Sequence, residues 1–134
     1  MKIDQHIRAS DGIVILATSG YAAEIASICA ALDLRVEAIV GTGSALDAAA
    51  TLGIDAAIWT GNTAALPPGR VAIALADGAE RSQIRSELAA AGRSIATLVH
   101  PDATVGLAVK LGEGCLLSPG VRVTSNVDIG AGTL

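Results

Sequence analysis

Phenylalanine is absent from this chain, and Tyr21 and Trp59 are its only large aromatics. A surface that stacks bases, or a cage of rings around a cation, has nothing to be built from. Charge is also scarce, at 16% of residues with a net charge of -4. That argues against non-specific association with nucleic acid or an anionic membrane. The two cysteines, Cys29 and Cys115, are far outside the short spacings of metal sites. They read as small apolar core residues, with a disulfide or a catalytic thiol as the alternatives. No metal cluster is expected. A membrane span is missing too. Residues 12–32, GIVILATSGYAAEIASICAAL, come nearest, but Glu24 interrupts them and Thr18-Ser19-Gly20 cuts them in two. Asp4 and Asp11 upstream do not suit a signal peptide. The default compartment is cytoplasmic.

What is abundant is aliphatic character. The chain has 134 residues and is 51% hydrophobic, which suffices for one compact core and a small second element. Ile13 to Leu16 forms a continuous apolar run of the kind buried on both faces of a parallel sheet. Ser19-Gly20 turns the chain into a helix reaching about Leu32, with Ala22, Ile25, Ile28, Cys29 and Leu32 on one stripe. Val36 to Val40 reads as a second strand, broken by Gly41 and Gly43. An Ala-rich helix follows from Ser44, the expected cap, to Leu52, with Asp47 favouring its N-terminus. Ala56 to Trp59 and Val71 to Leu75 read as further strands separated by the Pro67-Pro68-Gly69 loop. Asp77-Gly78 leads into a helix over residues 79–91, with Ile84, Leu88 and Ala91 inward and Gly92 closing it. Ile95 to Val99 completes a β-α-β-α-β-β-α-β order, which describes an α/β domain with a mostly parallel sheet.

After His100-Pro101 the period changes. Val105, Leu111, Leu117, Val123 and Ile129 recur every six residues. Ala103, Val109, Cys115, Val121 and Val127 precede them by two. Helices repeat at 3.6 and strands at 2, so neither accounts for six. A parallel β-helix with three short faces and roughly 18 residues per coil does. The aliphatic of each hexad is expected to point inward, with Gly106, Gly112, Ser118 and Gly130 turning the corners. Five hexads make fewer than two coils, and solenoids need about three repeats and capped ends. The chain is therefore expected to be a fragment of a longer one. The alternative is a short protein that hides an apolar coil edge against a partner.

Three segments carry a resemblance: IVILATSGYAAEIASI, VAIALADGAERSQI, and ATLVHPDATVG with the hexads behind it. Together they resemble the front part of the hexapeptide-repeat sugar acyltransferases, the group of sialic-acid O-acetyltransferases and bacillosamine-type N-acetyltransferases. The resemblance implies an α/β fold with a small Rossmann-like nucleotide-sugar-binding domain over 1–99. The start of a left-handed parallel β-helix follows over 100–134, in a trimer. It implies acetyl transfer from acetyl-CoA to an amine or hydroxyl of a nucleotide-linked sugar in bacterial surface-glycan synthesis. The general-base histidine and the acetyl-CoA site of the family are implied to lie beyond Leu134. His6, in a polar segment, reads as a surface residue, and His100 as structural, so no catalytic residue is assigned.

Ligands of open α/β sheets bind at the carboxyl ends of the strands, and phosphates favour helix N-termini there. Ser19, Gly20 and Tyr21 after the first strand, and Asp77 and Gly78 after the fourth, are therefore the candidate substrate-binding residues. The chain departs from the family around them. The glycine-rich turn keeps one glycine, Tyr21 stands for a histidine, Gly41-Thr42 replaces an acidic pair, and Ala76 replaces a glycine. An altered turn leaves open a non-catalytic ligand-binding or assembly module. A dinucleotide oxidoreductase fits less well, because residues 17–22 do not form G-x-G-x-x-G.

Overall fold

The computed structural model describes residues 12–134. Four parallel strands, β1 (Ile13–Ala17), β2 (Val36–Gly41), β3 (Ala56–Ile58) and β4 (Arg70–Ile73), form one sheet in the order β3-β2-β1-β4. Three helices cover it: α1 (Tyr21–Ala31), α2 (Ser44–Leu52) and α3 (Gly78–Ala90). Alternation along β1 explains the layering. Ile13, Ile15 and Ala17 face the core shared with α1 and α2, whereas Val14 and Leu16 face the core shared with α3. All five β1 side chains are fully buried, as the unbroken apolar run predicts. Both cysteines are free and buried. No described helix is long and apolar enough to cross a membrane.

Several local expectations need correction. Gly41 does not break β2 but ends it, paired with Ala17. A Cβ there would collide with the Ala17 carbonyl oxygen, so only glycine permits this approach. Ser44 is the first helical residue of α2 rather than its cap. Gly43 takes the cap position, with no side-chain bond. Ala91 is exposed, because it already lies past the end of α3. The expected strand Ile95–Val99 splits between two partners. Ile95 makes a single parallel bridge to Val71 beside β4. Leu98 and Val99 form β5 (Leu98–Val99), which belongs to a different ladder.

That ladder is the first face of a coil. β5 pairs with β8 (Leu116–Leu117), β6 (Thr104–Val105) with β9 (Arg122–Val123), and β7 (Lys110–Leu111) with β10 (Asp128–Ile129). Every partner lies eighteen residues on, in parallel, so three faces close one coil and the next stacks on it. Leu117 and Val123 are buried inside. Leu111 and Ile129 are half-buried, and Val105 is exposed.

The corners are not turned where expected. Ala108, Gly114, Gly120, Asn126 and Gly132, six residues apart, all have φ between +57° and +85°. The left-handed residue therefore stands three after each inward aliphatic. Gly106 and Gly112 serve a different need. A Cβ on Gly106 would sit 2.9 Å from the Thr124 backbone, and one on Gly112 would strike the backbone of Ala131. These glycines let the following coil approach.

One face of the coil is covered. Leu98 and Leu116, on the outside of the β5–β8 face, are buried in the same core as Ile25, Ile28 and Cys29 of α1. The corresponding outward positions on the other faces are Thr104, Arg122, Lys110 and Asp128, all exposed. The β5–β8 face thus docks the coil onto the helical layer. Leu116→Ala is expected to lower unfolding free energy by about 2–5 kcal/mol in urea titration. Ala108→Gly is expected to raise it by about 0.5–1 kcal/mol, because alanine is strained in the left-handed region.

Candidate functional site

The sheet order creates a topological switch point, where open α/β sheets form a ligand crevice. From β1 the chain crosses through α1 to β2 on one side, then returns to place β4 on the other. The carboxyl ends of β2, β1 and β4 consequently stand side by side, the position where open α/β sheets receive ligands. Buried Ala17, Gly41 and Leu75 form its base. The turns above them are exposed: Thr18-Ser19-Gly20 after β1, Thr42-Gly43 after β2, and Ala76-Asp77 after β4, where Gly78 opens α3. Of the candidate residues, Ser19, Gly20 and Asp77 are exposed in these turns, and Gly78 is exposed as the first residue of α3. Tyr21 is half-buried and packs against the α1–α2 core.

The two walls differ in what they offer. Asp77 is the N-cap of α3, and its Oδ1 accepts from the amides of Ala79 at 2.9 Å and Glu80 at 3.3 Å. The amide of Arg81 donates to the Asp77 carbonyl at 2.9 Å. The first turn of α3 is thus turned inward on Asp77, whose charge also opposes an anion beside it. At α1 the cap residue is Gly20, which has no side chain to offer. Ser19 Oγ accepts from the Tyr21 amide at a long 3.3 Å. The α2 N-terminus, next to it across β1 and β2, is likewise uncapped by a side chain. At the α1 end no carboxylate caps the helix, although Glu24 stands in its first turn and the amides of Ala22 and Ala23 donate to the carbonyls of Ser19 at 3.3 Å and Gly20 at 3.0 Å.

Sequence reasoning missed Arg81 as a site neighbour. Its Nη1 donates to the carbonyls of Leu75 at 2.8 Å and Ala76 at 3.0 Å, and its Nε to Gly132 at 3.3 Å. Its last partner is 51 residues away, and no local pattern announces such a contact. Arg93 has a comparable but remote role, with its guanidinium on the carbonyls of Leu66, Pro67 and Gly69.

The remaining titratable groups supply no reaction centre among the described residues. His100 Nδ1 accepts from the Asp102 amide at 2.9 Å, and its own amide donates to Leu117, which ties it into the coil. His6 lies outside the described residues. Burial pushes the Cys29 thiol up to about 11, with Arg70 acting weakly against it. It is protonated and inert at neutral pH. No group of histidine, cysteine and carboxylate side chains suited to a metal occurs among the described residues. An open cleft of about 740 Å³, lined by Glu37, Asp55, Ala57 and Pro67, lies at the β2–β3 edge, away from the crevice. The Arg35–Glu37 ion pair flanks it.

The fold is similar to that of perosamine N-acetyltransferase from Caulobacter crescentus, solved with CoA and GDP-perosamine. A histidine-to-asparagine mutant of that enzyme matches with a TM-score of 0.72 and 24% identity, over 90% of this chain and 58% of that one. PerB from the same organism, with the same two ligands, matches with a TM-score of 0.65 and 25% identity, over 90% and 57%. A histidine-to-alanine mutant gives 0.66 and 24%, over 90% and 58%. This chain thus spans under three-fifths of the length of those neighbours. No protein-family model and no curated protein matches it.

If Asp77 is a cap first, its charge is dispensable for stability. Asp77→Ala is expected to lower unfolding free energy by about 1 kcal/mol in urea titration, and Asp77→Asn by only a few tenths.

Proposed function

We propose that this chain is the nucleotide-sugar-binding part of an acetyl-CoA-dependent acetyltransferase acting on a nucleotide-linked sugar. The observation that carries this reading is the joining of two elements. A parallel sheet with an exposed switch-point crevice is welded to an eighteen-residue parallel coil. The neighbours that share the combination hold CoA and a GDP-sugar. In this reading residues 1–99 form the nucleotide-sugar domain, and residues 100–134 begin a left-handed β-helix. The assembly is a trimer in the cytoplasm, serving surface-glycan synthesis. Acetyl-CoA is a co-substrate, and no residue of this chain is assigned as the catalytic base.

Within the crevice, the diphosphate lies at the N-terminus of α1, over Ser19, Gly20 and Tyr21. Backbone N–H dipoles there favour negative charge without needing a lysine. Asp77 and Gly78 form the opposite wall. The second carboxylate oxygen of Asp77 is available to accept from a hydroxyl. Gly78 keeps that wall low.

The test is calorimetric titration with GDP-perosamine, a UDP-sugar and acetyl-CoA, each alone, with the mass in solution recorded. A nucleotide sugar is expected to bind. Ser19→Asp places a carboxylate where the diphosphate would lie, and is expected to weaken binding at least about tenfold. The same change favours the helix N-terminus, so lost binding is not lost folding. Absence of heat with every nucleotide sugar overturns the proposal, as does unchanged affinity in Ser19→Asp.

A further inference from the structure

The crevice and the coil share one side chain. Arg81, in the first turn of α3, divides its guanidinium between them. Nη1 holds the Leu75 and Ala76 carbonyls, the two residues that lead into the Asp77-Gly78 wall. Nε holds the carbonyl of Gly132, a left-handed corner of the second coil. Nη2 has no hydrogen-bond partner among the described residues. It stands 3.6 Å from where a Cβ on Gly78 would be. Arg85, one helical turn on, lies near the same corner, 3.7 Å from the Cβ position of Gly132. The Gly132 amide in turn donates to Glu113, and the Leu116 amide to Thr133, each at 2.9 Å. A rigid planar cation thus bridges the turn that walls the crevice and the corner that orders two rungs of the coil. Lysine, with one point charge on a flexible stem, cannot reproduce a fork that reaches three carbonyls.

We propose that Arg81 is a positioning residue that couples ligand binding in the crevice to order in the second coil. The proposal rests on the nucleotide-sugar reading given above. With ligand present, the Asp77-Gly78 wall is held, the guanidinium is fixed, and the Gly132 corner is fixed with it. By linkage the same coupling runs backwards, so a disordered corner weakens ligand binding. A fixed guanidinium is the physical carrier of the effect, not distance or proximity alone.

Hydrogen exchange of the full 134-residue chain, with and without GDP-perosamine, tests this in wild type, Arg81→Ala and Arg81→Lys. Without ligand, Arg81→Ala is expected to speed exchange of the Gly132 and Leu116 amides at least about tenfold, with β1 amides unchanged. In wild type, GDP-perosamine is expected to slow exchange at both amides. Arg81→Ala is expected to lose that ligand-induced protection and to bind about tenfold more weakly, with Arg81→Lys intermediate. A purely structural arginine would alter the unliganded rates and leave the ligand-induced protection in place. Unchanged unliganded exchange in Arg81→Ala overturns the proposed role of the Arg81 bridge in ordering the coil, whatever the ligand does. Faster exchange with unchanged affinity and protection removes the coupling. Absence of binding to wild type, with exchange still faster in Arg81→Ala, overturns the nucleotide reading and the coupling, and leaves only a structural contact. Should Arg81→Ala fail to fold by circular dichroism, the lysine variant carries the same comparisons.

Discussion

The burial of one coil face against helix α1 is the contact on which the remainder of the architecture depends. Leu98 and Leu116 are fully apolar on the outside of a coil whose other outward positions carry threonine, arginine, lysine and aspartate. This face shares a core with Ile25, Ile28 and Cys29, so it is buried on its outside as well as its inside. The same burial fixes where the coil stands relative to the sheet. That in turn brings Gly132 within reach of Arg81.

The coil repeats every six residues for two separate reasons. Inward aliphatics must stack on those one coil away, which sets the spacing of Val105, Leu111, Leu117, Val123 and Ile129. The corners must be turned with positive φ, which sets the spacing of Ala108, Gly114, Gly120, Asn126 and Gly132. Three of these corners are glycine and one is asparagine, the residues that tolerate this conformation best. Ala108 is the exception. Gly106 and Gly112 respond to a third demand, the approach of neighbouring backbone, which follows no conformational rule visible along the chain.

At the crevice, chemistry is divided between helix ends. The α3 end is capped by the Asp77 carboxylate, while the α1 end has a glycine cap, a weak serine bond, and two amides turned onto the Ser19 and Gly20 carbonyls. In the proposed function the diphosphate takes the uncapped α1 end. Gly41 contributes indirectly. Its missing side chain lets β2 close against the end of β1, so the turns at residues 18–20 and 42–43 stand next to one another.

By itself the sequence determined the element order, the sheet-facing apolar runs and the six-residue repeat. Each is a local pattern of side-chain polarity, and burial acts on such patterns directly. It also placed Ser19, Gly20 and Asp77 in turns after strands, with Gly78 at the start of α3, because glycine and capping residues mark those places locally. Only the tertiary structure decided that Gly41 ends a strand, that Ile95 and Leu98 serve different sheets, and that Arg81 joins the crevice to the coil. These outcomes depend on which backbone lies next to which, across up to 51 residues. A periodicity carries no information about a neighbour that distant. Backbone contact and guanidinium reach are settled only when the layers have packed.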